Sequence, residues 1–142
     1  MIAAALACLS ACATSPHADA SSPTPQPLWA KVDPPPGFQF GDSLLCHTVL
    51  ATHPGFVSRT FSVKHALGDT AVIMYRTPTS MRRAQDTEDR VVFQAAGVDP
   101  GSLDSLSIDK RTGAFARVWS GWSLTTPELN AGAQRGYCTN GE

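Results

Sequence analysis

The side chains of this chain that could act as nucleophiles or metal ligands are its serines, cysteines and histidines. Cys46 and His47 are adjacent, but on a strand their side chains would point to opposite faces, and His53 and His65 lie apart from them. Zinc sites usually contain pairs of ligands about two to four residues apart, a spacing that Cys46, His47, His53 and His65 lack. Nucleophilic catalysis needs a serine or cysteine beside a histidine and an acid, and no Gly-x-Ser-x-Gly motif occurs. We therefore predict a protein that is not an enzyme, with no metal site and no cofactor.

Residues 111 to 122 carry the side chains best suited to molecular recognition. Phe115, Arg117 and Trp119 fall on one face of a strand, because strand side chains alternate with a period of two. Arg111 precedes this segment and Trp122 ends it. Tryptophan and arginine are enriched at recognition sites. Two interpretations stay open: a core face whose arginine reaches the rim, or a binding patch made of all five residues.

The part of the chain from Phe38 onward is electrically neutral, with ten Lys and Arg against ten Asp and Glu. Nucleic-acid binding requires a basic face, and none is visible, so we expect no nucleic-acid partner. The sequence also lacks an apolar run of about 18 residues, the length that a membrane-spanning helix requires.

The first residues have the composition of an export signal. Residues 2–11 are almost wholly small and apolar, like the hydrophobic region of a secretory signal peptide. At the end of this run, Leu9-Ser10-Ala11-Cys12 resembles the lipobox of bacterial lipoproteins, where the signal peptide is cut before a cysteine that receives lipids. The resemblance implies a signal peptide at 1–11, lipid attachment at Cys12 and a membrane partner reached through that anchor.

Export places the protein in the cell envelope. Ala13 and Thr14 follow Cys12, with no aspartate of the kind that holds enterobacterial lipoproteins at the inner membrane, so the resemblance implies the periplasmic side of the outer membrane. Two alternatives stay open: an ordinary signal peptide cleaved near Ala18 or Ala20, which would leave the protein in the periplasm, and a buried N-terminal helix. No Lys or Arg precedes the apolar run, although export signals normally begin with positive charge. We therefore expect translation to start upstream of Met1.

The stretch after the lipobox is rich in proline, because residues 13–37 contain seven of the eleven prolines. Proline lacks a backbone donor and fixes φ, so neither a helix nor a central strand is compatible with this stretch. We predict that residues 12–37 comprise the lipidated cysteine and a semi-rigid tether, and that residues 38–142 form a single folded domain.

Short alternating or apolar runs separated by turns indicate a mainly β domain. The predicted strands lie at 44–50, 57–64, 71–75, 90–95, 106–108 and 114–119. Asp109 and Gly113 supply a hairpin turn between the last two, through a side-chain hydrogen bond and a positive φ. We predict about five to seven strands in an antiparallel meander or small barrel.

Residues 80–96 fit two structures. Pro78 and Gly97 are typical of a helix start and stop. Residues 90–94 instead have strand chemistry, with neighbouring β-branched residues. We favour a strand at 90–95 after an irregular or single-turn segment, and one short helix near 80–96 is the alternative.

Cys46 and Cys138 are the cysteines that remain when those of the signal region are set aside. An even number of cysteines in an oxidising, exported compartment normally pairs. The two residues lie near the ends of the folded region, so a bridge requires the first and last strands to be neighbours. We predict this disulfide and a closed or nearly closed meander.

Two further resemblances bear on function. The sequence IDKRTGAF at 108–115, with GYC at 136–138, resembles an ending found in small exported bacterial proteins of unknown function. Thr112-Gly113-Ala114-Phe115 echoes the Ser-Gly-x-x-Tyr motif of bacterial lipoproteins that block lysozyme, although the tyrosine is absent.

We expect a lipid-anchored cell-envelope protein with a non-enzymatic role in binding or structural support. Its partner beyond the membrane would be an envelope protein or a cell-wall component. The alternative is a periplasmic inhibitor or immunity-type lipoprotein, similar to the lysozyme inhibitors. A small hydrolase is the third hypothesis.

The lipid anchor has a direct test. With an upstream start supplied, Cys12→Ala should move the protein from the membrane fraction to the soluble periplasmic fraction and abolish labelling by palmitate. Cys8→Ala is the matched control, because Ala5-Leu6-Ala7-Cys8 is a poorer lipobox, and this variant should stay in the membrane fraction. A wild-type protein that is soluble and carries no lipid by mass spectrometry would contradict the anchor.

Overall fold

A computed structural model of the chain describes residues 30–75, 77–96, 102–122 and 129–141. Eight strands make up almost all of the regular structure in these ranges, together with one 3-10 turn at Pro54–Phe56. In chain order the strands are β1 (Ser43–Ala51), β2 (Thr60–Lys64), β3 (Thr70–Met74), β4 (Pro78–Asp86), β5 (Arg90–Ala96), β6 (Leu103–Asp109), β7 (Ala114–Trp122) and β8 (Leu129–Asn140).

Each strand pairs antiparallel with the next, and β1 also pairs with β8, which closes the sheet into a barrel. The prediction of a mainly β antiparallel meander or barrel is confirmed. The described ranges form eight strands, so the expected five to seven was too low.

The segment near 80–96 contains two strands and no helix. The strand predicted at 90–95 is confirmed as β5. The irregular or single-turn segment predicted before it is wrong, because residues 78–86 form β4. Pro78 is tolerated as the first residue of this strand. A register shift between Arg83 and Gln85 interrupts the alternation of side chains, and this bulge hid the strand in the sequence pattern.

Side chains from every strand fill the barrel interior. This is expected, because the interior of an eight-stranded barrel is just wide enough for side chains to fill it. The buried core comprises Leu44, Cys46, Phe61, Val63, Ala66, Ala71, Ile73, Met81, Val91, Phe93, Leu106, Ile108, Phe115 and Cys138. Phe38 and Phe40 pack against this core from the segment before β1. We call the end of the barrel at which the chain enters β1 the sealed end.

The predicted disulfide is confirmed at the junction of the first and last strands. Cys46 and Cys138 are direct cross-strand partners on β1 and β8, and they are joined across a sequence separation of 92 residues. Both side chains are fully buried. We call the paired β1 and β8 the seam, because their pairing closes the barrel.

Glycine permits a close approach at the seam. A Cβ atom on Gly136 would overlap the carbonyl oxygen of His47 and would lie 2.8 Å from Cε1 of Phe115. Gly113 has a φ of 77°, and a Cβ there would lie 2.8 Å from the ring of Phe38. Both positions therefore exclude any larger residue.

The hairpin turn between β6 and β7 has the predicted chemistry. The Asp109 carboxylate accepts hydrogen bonds from the backbone N–H groups of Arg111 and Thr112, both at 2.9 Å. Burial raises the pKa of Asp109, but these hydrogen bonds outweigh it and hold the pKa below its ordinary value. The positive φ of Gly113 completes the turn.

An ionic cluster ties three elements together at the sealed end. Asp86 at the end of β4 accepts a hydrogen bond from the Lys110 ammonium, which holds its pKa below the ordinary value. Arg83 also contacts Asp86, at 2.5 Å, and donates a hydrogen bond to the carbonyl of Ala66 at 3.2 Å. The β2–β3 loop, β4 and the β6–β7 turn are thereby held in place.

Substitution at the seam glycine should be severe. Gly136→Ala should lower the free energy of unfolding by about 3 kcal/mol or more, because the methyl group overlaps backbone and a core ring. Gly55→Ala is the matched control, since no atom lies within 4 Å of its added Cβ, and it should change stability by less than about 1 kcal/mol. Urea unfolding of both variants measures the difference. Equal stability of the two variants would show that the strands do not approach this closely.

Candidate functional site

The end of the barrel opposite the sealed end carries a cluster of aromatic side chains. We call this cluster the aromatic mouth, and it comprises His53, Phe56, Arg59, Tyr75 and Trp119. Trp119 is its inner member, because it continues the inward-facing set of β7. Its indole covers Gly132, the cross-strand partner on β8, so closely that a Cβ there would overlap the ring. A tryptophan over a glycine in this manner is a stabilising cross-strand pair.

The 3-10 turn places a second ring over the opening. Pro54–Phe56 lies in the loop between β1 and β2, and Phe56 donates its N–H to the carbonyl of His53 at 3.0 Å. The Phe56 ring centroid is 5.3 Å from that of Trp119 and 5.8 Å from that of Tyr75, with which it is stacked. Three elements distant in sequence thus meet at the mouth.

Arg59 and His53 supply the polar groups of the mouth. Arg59 is exposed, and its Nη1 donates a hydrogen bond to the Tyr75 hydroxyl at 3.3 Å. The His53 ring is 6.2 Å from those of Phe56 and Trp119, and its Nε2 lies 3.2 Å from the carbonyl oxygen of Ala131. The mouth therefore combines apolar ring faces with an accessible guanidinium.

Arg59 and Tyr75 line two clefts. The first, of about 290 Å³, is also lined by His53, Gly55 and Phe56. The second, of about 460 Å³, is also lined by Ser58 and Thr60. Both clefts are open to solvent rather than enclosed.

A polar layer lies inside the barrel beneath the mouth. Arg117 and Asp104 form a bidentate ion pair, with Nε donating to Oδ1 at 2.9 Å and Nη2 donating to Oδ2. Their side chains are 13 and 16% exposed. The Arg117 guanidinium also lies 5.8 Å from the centre of the Phe61 ring. This layer separates the apolar core from the mouth.

A second polar pair belongs to this layer. The Thr48 hydroxyl donates a hydrogen bond to Oε1 of Gln134 at 3.3 Å. Both residues are buried. Buried polar groups are tolerated when they are hydrogen-bonded in this way.

The structure separates four of the five residues of the predicted binding patch. Phe115 lies in the core, 3% exposed, and Arg117 lies in the interior ion pair. Trp119 belongs to the mouth. Arg111 is at the sealed end, where it contacts Asp89 at 3.1 Å. Trp122 ends β7, and its side chain lies outside the described residues, as does Cys12.

Sequence reasoning missed three residues of the mouth, Phe56, Arg59 and Tyr75, and it considered His53 only as a possible metal ligand. One signal was available, because Phe56 follows Pro54 and Gly55 in a loop, where a large aromatic side chain has no core to fill. Tyr75 looked like the end of an apolar strand. Nothing in the sequence brings these residues together, since their proximity depends on the closure of the barrel.

The remaining histidines of the folded part lie apart from this cluster. His47 stacks on Tyr137 with ring centroids 5.2 Å apart, and Nδ1 of His65 lies 3.5 Å from Oδ2 of Asp42. Among the described residues, no three His, Cys, Asp or Glu side chains are placed to hold a metal ion. Within the same ranges, no helix has the length and apolar character needed to cross a membrane.

Comparison with known proteins adds no relative. No protein-family model matches the chain, and searches of curated proteins and of solved structures found no match. The interpretation of the mouth therefore rests on its geometry.

The interior ion pair should contribute far more to the free energy of unfolding than an ion pair at the surface. Asp104→Ala should lower the free energy of unfolding by about 3 kcal/mol, because it leaves the Arg117 guanidinium unpaired in a largely buried position. Asp89→Ala is the matched control, because its pair with Arg111 is mostly exposed, and it should cost less than about 1 kcal/mol.

Chemical unfolding of the two aspartate variants gives the comparison, and Asp104→Ala/Arg117→Met should recover much of the lost stability. Similar small effects of Asp104→Ala and Asp89→Ala would contradict the assignment of Arg117 to the interior.

Proposed function

We propose that this chain is a lipid-anchored cell-envelope protein whose barrel binds another envelope component through the aromatic mouth. Its role is binding rather than catalysis. The observation that carries the proposal is the contact of the Phe56 ring with those of Tyr75 and Trp119, beside the exposed guanidinium of Arg59. Tryptophan, tyrosine and arginine are the residues that most often dominate binding energy at protein interfaces.

The barrel beneath the mouth favours a binding role for this surface. Its interior is filled by core side chains, so a partner would contact the rim rather than enter a lumen. The rings stand on strands and on a loop whose backbone is hydrogen-bonded to β1. A rigid scaffold of this kind lowers the entropic cost of binding.

The course of the N-terminal segment is compatible with a tethered domain. The carbonyl of Ala30 accepts a hydrogen bond from Arg135 on β8 at 3.4 Å, and residues 35–38 line a cleft together with Cys138–Asn140. The segment then enters β1 at the sealed end. The residues just before β1 are therefore at the end away from the mouth. The lipobox at Leu9-Ser10-Ala11-Cys12 supplies the anchor in this proposal.

The inhibitor hypothesis implies a binding surface at the sealed end of the barrel instead of the mouth. Thr112-Gly113-Ala114-Phe115 lies at the β6–β7 turn, at the sealed end. Gly113 and Phe115 are buried there, whereas Thr112 is exposed, and its hydroxyl accepts a hydrogen bond from the N–H of Ala114 at 3.2 Å. An inhibitor that used this motif would depend on Thr112 and not on the mouth.

Capture from envelope extract tests the proposed function. Immobilised wild-type protein should retain at least one envelope component, and Phe56→Ala should reduce its retention by about tenfold or more, because Phe56 joins the other two rings. Val118→Ala is the matched control, since Val118 is 50% exposed on the outer wall of β7. The melting temperature of each variant verifies that it is folded.

Retention that is unaffected by Phe56→Ala would contradict binding at the mouth. A parallel lysozyme inhibition assay with wild type and Thr112→Ala addresses the rival. Inhibition that is lost in Thr112→Ala and kept in Phe56→Ala would replace the proposed function with the inhibitor hypothesis.

A further inference from the structure

We infer that the aromatic mouth recognises a carboxylate side chain, and that its partner is an acidic segment of another protein. This inference rests on the proposed binding function and names the chemistry of the partner.

The charge of the mouth is positive. Arg59 donates to a neutral hydroxyl, that of Tyr75, and no carboxylate among the described residues lies within salt-bridge distance of its guanidinium. On the described strands and loops at this end, the one carboxylate is Asp104, which is already engaged by Arg117. Within the described ranges, an approaching carboxylate therefore meets the positive charge of Arg59, which no ion pair neutralises there, and no negative charge that is free to repel it.

The geometry of Arg59 suits a carboxylate with an apolar neighbour. A guanidinium carries five N–H donors in a planar fork, and one bond to Tyr75 leaves others to form paired hydrogen bonds with both carboxylate oxygens. The stacked rings of Phe56 and Tyr75 line the adjoining cleft of about 290 Å³. A side chain next to the acidic residue would pack against these rings.

The shape of the site favours a protein segment over an enclosed small ligand. Small-molecule sites bury most of their ligand in a concave pocket, whereas the barrel interior here is filled and both clefts lie at the rim. Val57, 41% exposed beside Phe56, extends the apolar area beyond the clefts. A macromolecular partner can cover such a rim and exclude water from the charged contact at its centre.

The backbone at Arg59 is held in advance of binding. Ser58 has a φ of 62°, a left-handed conformation that a non-glycine residue adopts at an energetic cost. Hydrogen bonds fix the chain on both sides of it, from the Ser58 N–H to the carbonyl of Thr48 at 2.9 Å and from the Thr48 N–H to the carbonyl of Arg59 at 2.8 Å. This arrangement directs Arg59 to the clefts without a loop closure that binding would have to drive.

Peptide titration followed by NMR tests the inference. The probes are acetyl-Phe-Glu-Phe-amide and acetyl-Phe-Gln-Phe-amide, added to the ¹⁵N-labelled full chain. The glutamate peptide should shift the amide resonances of Ser58, Arg59 and Tyr75 in a saturable manner, and the glutamine peptide should bind about tenfold more weakly because it lacks the charge.

Matched variants locate the charged contact. Arg59→Gln should remove the preference for the glutamate peptide. Arg111→Gln, which changes an exposed arginine at the sealed end, should retain it. Equal binding of the two peptides, a preference that survives Arg59→Gln, or no binding of either peptide would overturn the inference. Galacturonic acid is a further probe, and shifts at the mouth with this sugar acid but with neither peptide would overturn the assignment to a protein partner.

The outcomes also separate this inference from the proposed function. Envelope capture that depends on Phe56, combined with no preference for the glutamate peptide, would leave the binding function standing and overturn the acidic partner. Capture that is independent of Phe56 would contradict the function itself.

Discussion

Closure of the sheet between its first and last strands is the constraint on which the rest of the structure depends. β1 and β8 pair along most of their length, and the buried disulfide of Cys46 and Cys138 fixes their register. Gly136 lets the carbonyl of His47 and the ring of Phe115 approach at the same place. With the seam closed, the inward side of every strand faces a common core, and no strand of the meander is left as an unpaired edge.

The two ends of the barrel differ in chemistry, and the polar layer divides them. The sealed end holds Phe38 and Phe40 against the core. At the other end the ion pair of Arg117 and Asp104 satisfies the groups that lie between the core and the rings of the mouth. When the polar groups of a mostly buried layer are hydrogen-bonded, few alternative arrangements of that layer are available. The rings of the mouth therefore lie above a rigid part of the barrel. Rigidity of this kind is what a surface needs to present preformed contacts to a partner.

Much of the fold could be predicted from the sequence. The alternation of apolar and polar residues and the turn residues depend on local structure, and the even number of cysteines depends on the oxidising compartment. β4 could not, since the bulge after Arg83 disrupts its pattern. The site was predictable only at Trp119. Phe115 lies on the same face of β7 as Trp119 but is buried in the core. The period of two therefore identified the inward face of the strand, but not how deep in the barrel each side chain lies. Phe56 and Tyr75 reach Trp119 through the closed sheet, which no local pattern encodes.

We expect the disulfide seam to hold the barrel closed and thereby to keep the mouth assembled. Hydrogen–deuterium exchange of the oxidised wild type and of Cys46→Ala/Cys138→Ala tests it most directly. The double variant should lose protection along β1 and β8 and at the Thr48 amide, which bonds to the Arg59 carbonyl, and its free energy of unfolding should fall by about 4–5 kcal/mol. Protection and stability equal to those of the wild type would contradict the claim.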